Sequence, residues 1–184
     1  VKKNVQVLGT TQAKWSAGTD ASTSLQPGSS ALASYESAIA ADSATTQDPF
    51  GHGTHVAAVA AGRAKYYNYS PDTTGIAPNA NLYDVRVLDD YGFGTLSDAL
   101  EGIQWAIYHA REYNIRVLNL SLAAASTDSW RTDPLCAAVR SATAAGITVV
   151  VAAGNYGKDA NGNVVYGSIA APGNDPSVIT VGSA

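Results

Sequence analysis

From residue 80 onward the spacing of apolar positions switches repeatedly between two periods, and each switch predicts a new element. The run "NLYDVRVL" (81–88) is rich in β-branched and aromatic residues and ends at the turn cluster "DDYGFG", which predicts a strand and a tight connection. In "TLSDALEGIQWAIYHAREYN", Leu96, Leu100, Ile103, Ile107 and Ala110 recur three or four apart, so one apolar stripe runs along an amphipathic helix. "IRVLNLSL" (115–122) is the next strand. The segment "DPLCAAVRSATAAG" places Leu135, Ala138, Val139 and Ala142 on one helical face, with Gly146 where a left-handed cap would end the helix. "ITVVVAAG" (147–154) is a continuous apolar run, the mark of a strand covered on both faces. The polar excursion "KDANGNVVYG" follows, its Asn161-Gly162 suited to a tight hairpin, and "SVITVGS" is a last strand. Strands separated by helices or long crossovers imply an α/β fold, a three-layer, doubly wound parallel sheet with helices on both faces. In such sheets ligands sit beyond the carboxyl ends of the strands.

The amino-terminal stretch lacks this rhythm. "WSAGTDASTSLQPGSSALAS" is rich in Ser, Thr, Gly and Ala and reads as surface loop or a junction. "NVQVLGT" suits a short edge strand, and "ALASYESAIA" suits either a strand with alternation or a short helix.

Composition narrows the partners. A chain of 184 residues can bury one real core, so a single domain over 1–184 is expected. Hydrophobic residues make up 46% and charged ones 14%, which favours a packed interior over a disordered or nucleic-acid-binding chain. The formal charge of −4 and the scattering of Lys and Arg after Lys2 and Lys3 leave no basic patch for phosphates. No apolar run reaches the ~20 residues of a membrane span, and no signal sequence is recognisable. A lone Cys136 excludes an internal disulfide and a thiolate metal cluster; among alanines it reads as a small buried hydrophobe.

The stretch "FGHGTHVAAVAAG" (50–62) holds the candidate chemistry. Gly51 and Gly53 permit close backbone approach around His52, and Ala57, Ala58, Ala60 and Ala61 allow tight packing. That predicts a buried helix whose first turn presents His52, with His55 on nearly the same face one turn deeper. Three readings compete here. Zinc would need a third ligand and an acidic general base, as in H-E-x-x-H, but Gly53 and Thr54 intervene and His109 belongs to another helix. Packing, with both imidazoles locally hydrogen-bonded, is the plain alternative. The third is a catalytic base.

The succession "GHGTHVAAVAAG", "GIAPNANLYDVRVLDDYGFGTLSDALEGIQWAI", "VLNLSLA", "VVVAAGN" and "APGNDPSVITVGS" resembles the subtilases, the subtilisin-like serine endopeptidases, over roughly residues 48 to 184. The resemblance implies a truncated subtilisin-like form of the fold, with His52 as the general base that takes a proton from a serine hydroxyl. It implies that the side-chain amide of Asn155 donates to the oxyanion of the tetrahedral intermediate. Ser121, Leu122 and Ala123 would form a wall beside the substrate's P1 residue. Gly92, Phe93 and Gly94 would form the opposite edge strand pairing with an extended peptide, and Ala152, Ala153 and Gly154 would line the specificity pocket. Read alone, "AAGN" is a turn and "GFG" a relaxed connection.

Two parts of the expected machinery have no match in the sequence. Subtilases order their triad Asp, His, Ser, with the serine in a G-T-S motif, and this chain contains no G-T-S. Acyl transfer by this chain alone therefore has no attacking group, and it is expected to be inactive or very weak. No D-S-G or D-T-G occurs either. Asp20, in "GTDAST", lies 32 positions before His52 and is the candidate acid, although "WSAGT" is a poor strand. Asp48 is too near His52 for that role and fits the loop leading into the helix. A deletion between about Gly18 and Leu25 is one account, in which exposed sheet edges and helix faces lead to a homo-oligomer. Protein or peptide substrates, secretion, and no nucleic-acid or membrane partner are expected. No cofactor is expected: calcium is common in the family, but "KYYNYSPDTTG" offers Asn68 and Asp72 without a dense acidic cluster. The alternative reading is a non-catalytic remnant that binds extended peptides or assembles with itself.

Overall fold

The structure, a computed structural model, describes residues 1–8, 28–31, 33–34, 37, 48–63, 72–126 and 128–183. Contacts divide the chain into two units, Val1–Asp98 and Ala99–Ala184.

In the first unit, β1 (Lys3–Gln6) pairs in parallel with β2 (Tyr83–Arg86), in register from Lys3 with Tyr83 to Gln6 with Arg86. Val5 and Val7 are buried and alternate with polar Asn4 and Gln6, the period of two that turns one face of a strand inward. "NVQVLGT" thus does supply a strand. Of "ALASYESAIA", the described positions Ala31, Ala33, Ser34 and Ser37 are helical. Parallel strands need a long crossover, and α1 (His52–Ala61) lies within it.

One expectation fails at α1. Small apolar residues all round a helix predict burial, yet no residue of α1 is buried and Val59 is 58% exposed. Apolar surface is covered only where the chain supplies a neighbour. Among the described residues that neighbour is segment 75–77, whose amides bond back along the helix end: Gly75 N–H to Gly62 O, Ile76 N–H to Val59 O, and Ala77 N–H to Ala60 O. Val56, Ala57 and Ala61 are half-buried, and the other residues of α1 are exposed.

Helix α2 (Leu96–Tyr108) opens on a reciprocal cap. The Thr95 amide and hydroxyl donate to Asp98 Oδ2 at 2.9 and 2.7 Å, and the Asp98 amide donates to Thr95 Oγ1 at 3.1 Å.

In the second unit, β3 (Val117–Leu120), β4 (Thr148–Ala152) and β5 (Ile179–Val181) form a parallel sheet in that order. Helix α3 (Pro134–Ala144) crosses between β3 and β4 and buries Leu135, Cys136, Val139 and Ala142. Its caps are legible in its sequence. The Asp133 carboxylate accepts from the Leu135 and Cys136 amides at 2.8 and 3.0 Å, and Pro134 follows where a missing N–H costs nothing. At the other end Gly146 takes φ 86, with Gly146 N–H bonded to Thr143 O and Ile147 N–H to Ala142 O, a Schellman closure. Ile103, Leu120, Leu135, Val139, Ala142, Ile147, Val149 and Val151 form one core cluster. Along β4, Val149 and Val151 are buried while Val150 is half-buried, so its two faces are covered unequally.

The fold is α/β, and every pairing between named strands is parallel. The ladder is divided: β2 and β3 belong to different sheets.

Candidate active site

His52 opens α1 and is exposed. The residue before it, Gly51, caps the helix in the left-handed conformation, φ 83 and ψ −6, where a side chain would be strained. Gly51 O accepts from His55 N–H at 3.0 Å, but glycine has no side-chain oxygen for the orphan amides of the first turn. Asp48 supplies it instead: Oδ1 accepts from Gly51 N–H at 2.9 Å, and Oδ2 accepts from Thr54 N–H at 2.8 Å and Thr54 Oγ1 at 2.9 Å. The Thr54 amide, chief among these bonds, holds the Asp48 carboxyl below its ordinary value. Asp84, on β2, is pushed the other way, by burial first and then by the Asp48 charge.

The same unit contains the loop that follows β2. Asp89 Oδ1 accepts from the Tyr91 and Phe93 amides at 2.9 and 3.0 Å, and Asp89 N–H donates to Phe93 O at 2.6 Å. Those amides lower the Asp89 carboxyl. Gly92 takes φ 81, and a Cβ there would lie 2.5 Å from Phe50 Cε1, so the Phe50 ring rests on its backbone. Phe93 points outward, 73% exposed. Gly92, Phe93 and Gly94 therefore form a fastened turn that carries an exposed aromatic ring and meets the Phe50 ring at Gly92.

In the second unit the residues expected to line the substrate lie just past the ends of two adjacent strands. Ser121, Leu122 and Ala123 follow β3, and Ser121 Oγ accepts from Asn119 Nδ2 at 3.0 Å. Ala153, Gly154 and Asn155 follow Ala152, the last residue of β4. A third segment ties these ends together: Ala124 N–H donates to Ala171 O at 2.9 Å, and Ala170 N–H donates to Ala153 O at 3.0 Å. Gly154 takes φ 91, and a Cβ there would lie 2.8 Å from the Ala170 methyl. Only glycine fits, and it turns Asn155 out to an exposed position beyond the strand. This is the carboxyl-end location expected for ligands in parallel sheets.

His109 takes no part in such a site. It is buried within the second unit against Trp105 and Tyr113, ring centroids 4.6 and 5.1 Å away, and its Nδ1 lies 2.8 Å from Glu112 Oε2. Among the described residues no three His, Cys, Asp or Glu side chains form a group that could hold a metal ion. No described helix is long and apolar enough to cross a membrane. The Asp72 carboxylate bonds to the Thr74 amide and hydroxyl. Asp20, Asn68 and the proposed deletion near Gly18 to Leu25 lie outside the described residues.

The family model for the subtilases matches residues 18–184. The chain belongs to the subtilase family. Curated relatives of this subtilase include the serine protease AprX of Bacillus subtilis strain 168, 41% identical over 141 residues, which are 74% of the chain and 30% of that protein. A thermostable alkaline protease of Halalkalibacterium halodurans is 43% identical over 111 residues, 60% of the chain and 27% of the relative. Subtilisin Savinase of Lederbergia lenta is 38% identical over 139 residues, 76% of the chain and 44% of the relative. The chain thus spans less than half the length of each of these relatives.

Two features of this subtilase chain are not read from its sequence. Thr54 is the partner that fixes Asp48, and its signal is the D-x-x-G-H-G-T spacing, which places a carboxylate six residues before a hydroxyl in a first helical turn. Ala170 and Ala171 carry no chemical signal at all. Their role depends on backbone bonds to segments far away in sequence.

Proposed function

We propose that this chain is the part of a subtilisin-like serine endopeptidase that supplies the general base and the oxyanion donor. The carrying observation is the exposed imidazole of His52 at the start of α1, on a turn held by three bonds from Asp48. In this reading His52 withdraws the proton from a serine hydroxyl as that oxygen attacks the peptide carbonyl, then returns it to the leaving amine. Asn155 donates to the oxyanion. The peptide lies extended across Gly92 and Gly94, since the amide and carbonyl of Phe93 are already engaged by Asp89. Its P1 side chain meets Ser121, Leu122 and Ala123 on one side and Ala152, Ala153 and Gly154 on the other. The nucleophile serine lies outside the motifs of this chain, and Asp20 is its candidate acid, so residues 1–184 alone turn over substrate orders of magnitude more slowly than the complete machinery or not at all. No cofactor enters the chemistry, and the protein works outside the cell.

A fluorophosphonate probe tests this. The whole protein carrying this chain is expected to form one serine adduct per molecule, lost in His52→Ala, while residues 1–184 alone form none. An unlabelled whole protein, or labelling indifferent to His52→Ala, refutes the reading.

A second reading, a non-catalytic remnant that binds extended peptides or assembles with itself, draws on exposed apolar strand residues. Val117 is 58% exposed, Ile179 55% and Val181 53%. Sedimentation of residues 1–184 as a folded monomer at micromolar concentration would count against self-assembly.

A further inference from the structure

The segment from Asp48 to His52 is fastened at two places. Asp48 grips the first turn of α1 through Gly51 N–H, Thr54 N–H and the Thr54 hydroxyl. Phe50, between them in sequence, is seated on the backbone of Gly92 in the loop after β2. Gly51 has no side chain to fix its left-handed turn, so the turn keeps its shape through bonds made by its neighbours. We propose that Asp48 is a positioning residue for His52: its carboxylate sets the first turn of α1 and thereby holds the imidazole in fixed relation to the loop 89–94 that Phe50 touches.

The argument is physical and rests on the endopeptidase reading. The first amides of a helix have no partner within it and fray unless an oxygen is supplied. An ionised acceptor makes these bonds stronger than a neutral cap would. A general base works only within about 2.6–3.2 Å of the proton it takes, and a displacement of about 1 Å costs on the order of 10²-fold in rate. The three Asp48 bonds all run to the helix turn, whereas the turn at Gly92, Phe93 and Gly94 is held separately by Asp89. Loss of Asp48 should therefore misplace the base while leaving the peptide-pairing loop intact. Its effect belongs in kcat rather than in KM.

The test uses the whole protein that carries this chain, assayed on a peptide substrate alongside fluorophosphonate labelling. Asp48→Ala is expected to lower kcat about 10- to 100-fold with KM within about threefold of the unaltered protein. Asp48→Asn, which keeps one acceptor oxygen, should fall between. Asp84→Asn removes the neighbouring carboxylate without touching the three bonds, and should leave kcat within about twofold if bonding rather than charge is responsible. Should Asp48→Ala fail to fold, Thr54→Val removes only the hydroxyl arm and is expected to lower kcat about two- to fivefold with KM unchanged. Labelled protein whose kcat is unmoved by these changes, or whose KM rises instead, overturns this inference and spares the endopeptidase reading. An unaltered protein that takes no label overturns both.

Discussion

Gly154 offers a sharp test of how the end of β4 is built. Two independent terms oppose any side chain there. Its φ of 91 lies where a residue with a Cβ is strained by about 1–2 kcal/mol. The added carbon would also sit 2.8 Å from the Ala170 methyl and 3.3 Å from Tyr156 Cδ2, well inside the ~3.5–4.0 Å at which carbons pack. Relieving that overlap means moving the 170–171 segment, which is bonded to Ala153 and Ala124, and overpacking of this sort costs about 1–3 kcal/mol. Gly154→Ala is thus expected to destabilise the protein by about 2–5 kcal/mol, read as a lower urea midpoint at unchanged slope. Gly157→Ala is the control, since a Cβ there meets nothing within 4 Å; it should stay within about 0.5 kcal/mol of the parent. Equal stability of the two variants would refute the argument that the turn before Asn155 is sterically reserved for glycine.

Four further outcomes follow from the second unit. Asp133→Ala removes the cap of α3 and should cost about 1–2 kcal/mol in chemical denaturation. Burial opposes the Asp133 charge, but the Cys136 amide, the Ser126 hydroxyl and the Leu135 amide outweigh it and lower the carboxyl below 3.8. Its contribution is therefore complete above about pH 4 and is lost as pH falls through the lower folded value, so acid titration of stability should be shallower in Asp133→Asn. Arg140→Met strips the partner 2.5 Å from the buried Asp175 carboxylate and should cost about 3 kcal/mol by the same denaturation assay. Burial, followed by the charges of Asp133 and Asp175, pushes the Cys136 thiol up to about 12, so a thiol reagent at pH 8 should modify it only when the protein unfolds.

The carboxyl-terminal half was legible because each element there announces itself twice, by period and by punctuation. Along α3 the apolar positions, the Asp-Pro start and the glycine end agree, and the helix found runs from Pro134 to Ala144 with the cap geometry its sequence calls for. The strands β3, β4 and β5 fall inside the predicted runs but are shorter than them. Their ends depend on which partner strand is in reach, and a single sequence does not encode that. The positions that the resemblance marks in the second unit, Ser121 to Ala123 and Ala152 to Asn155, fall at or just past the ends of β3 and β4, so their place in the fold follows once the strands are located.

The first unit shows where such reading stops. The small apolar residues of α1 express a preference for burial that the structure does not meet, since none of its residues is buried. Coverage, however, is a property of the neighbours, and α1 retains an exposed Val59 just as β3 and β5 retain exposed Val117 and Ile179. The same reasoning bears on His52. Whether an imidazole at the tip of a helix acts as a base depends on groups that the local sequence does not specify. What the local sequence does specify is the holding: Gly51 for the turn, Asp48 for the orphan amides, and Phe50 for the contact with Gly92. Those residues fix where the His52 backbone stands at the start of α1.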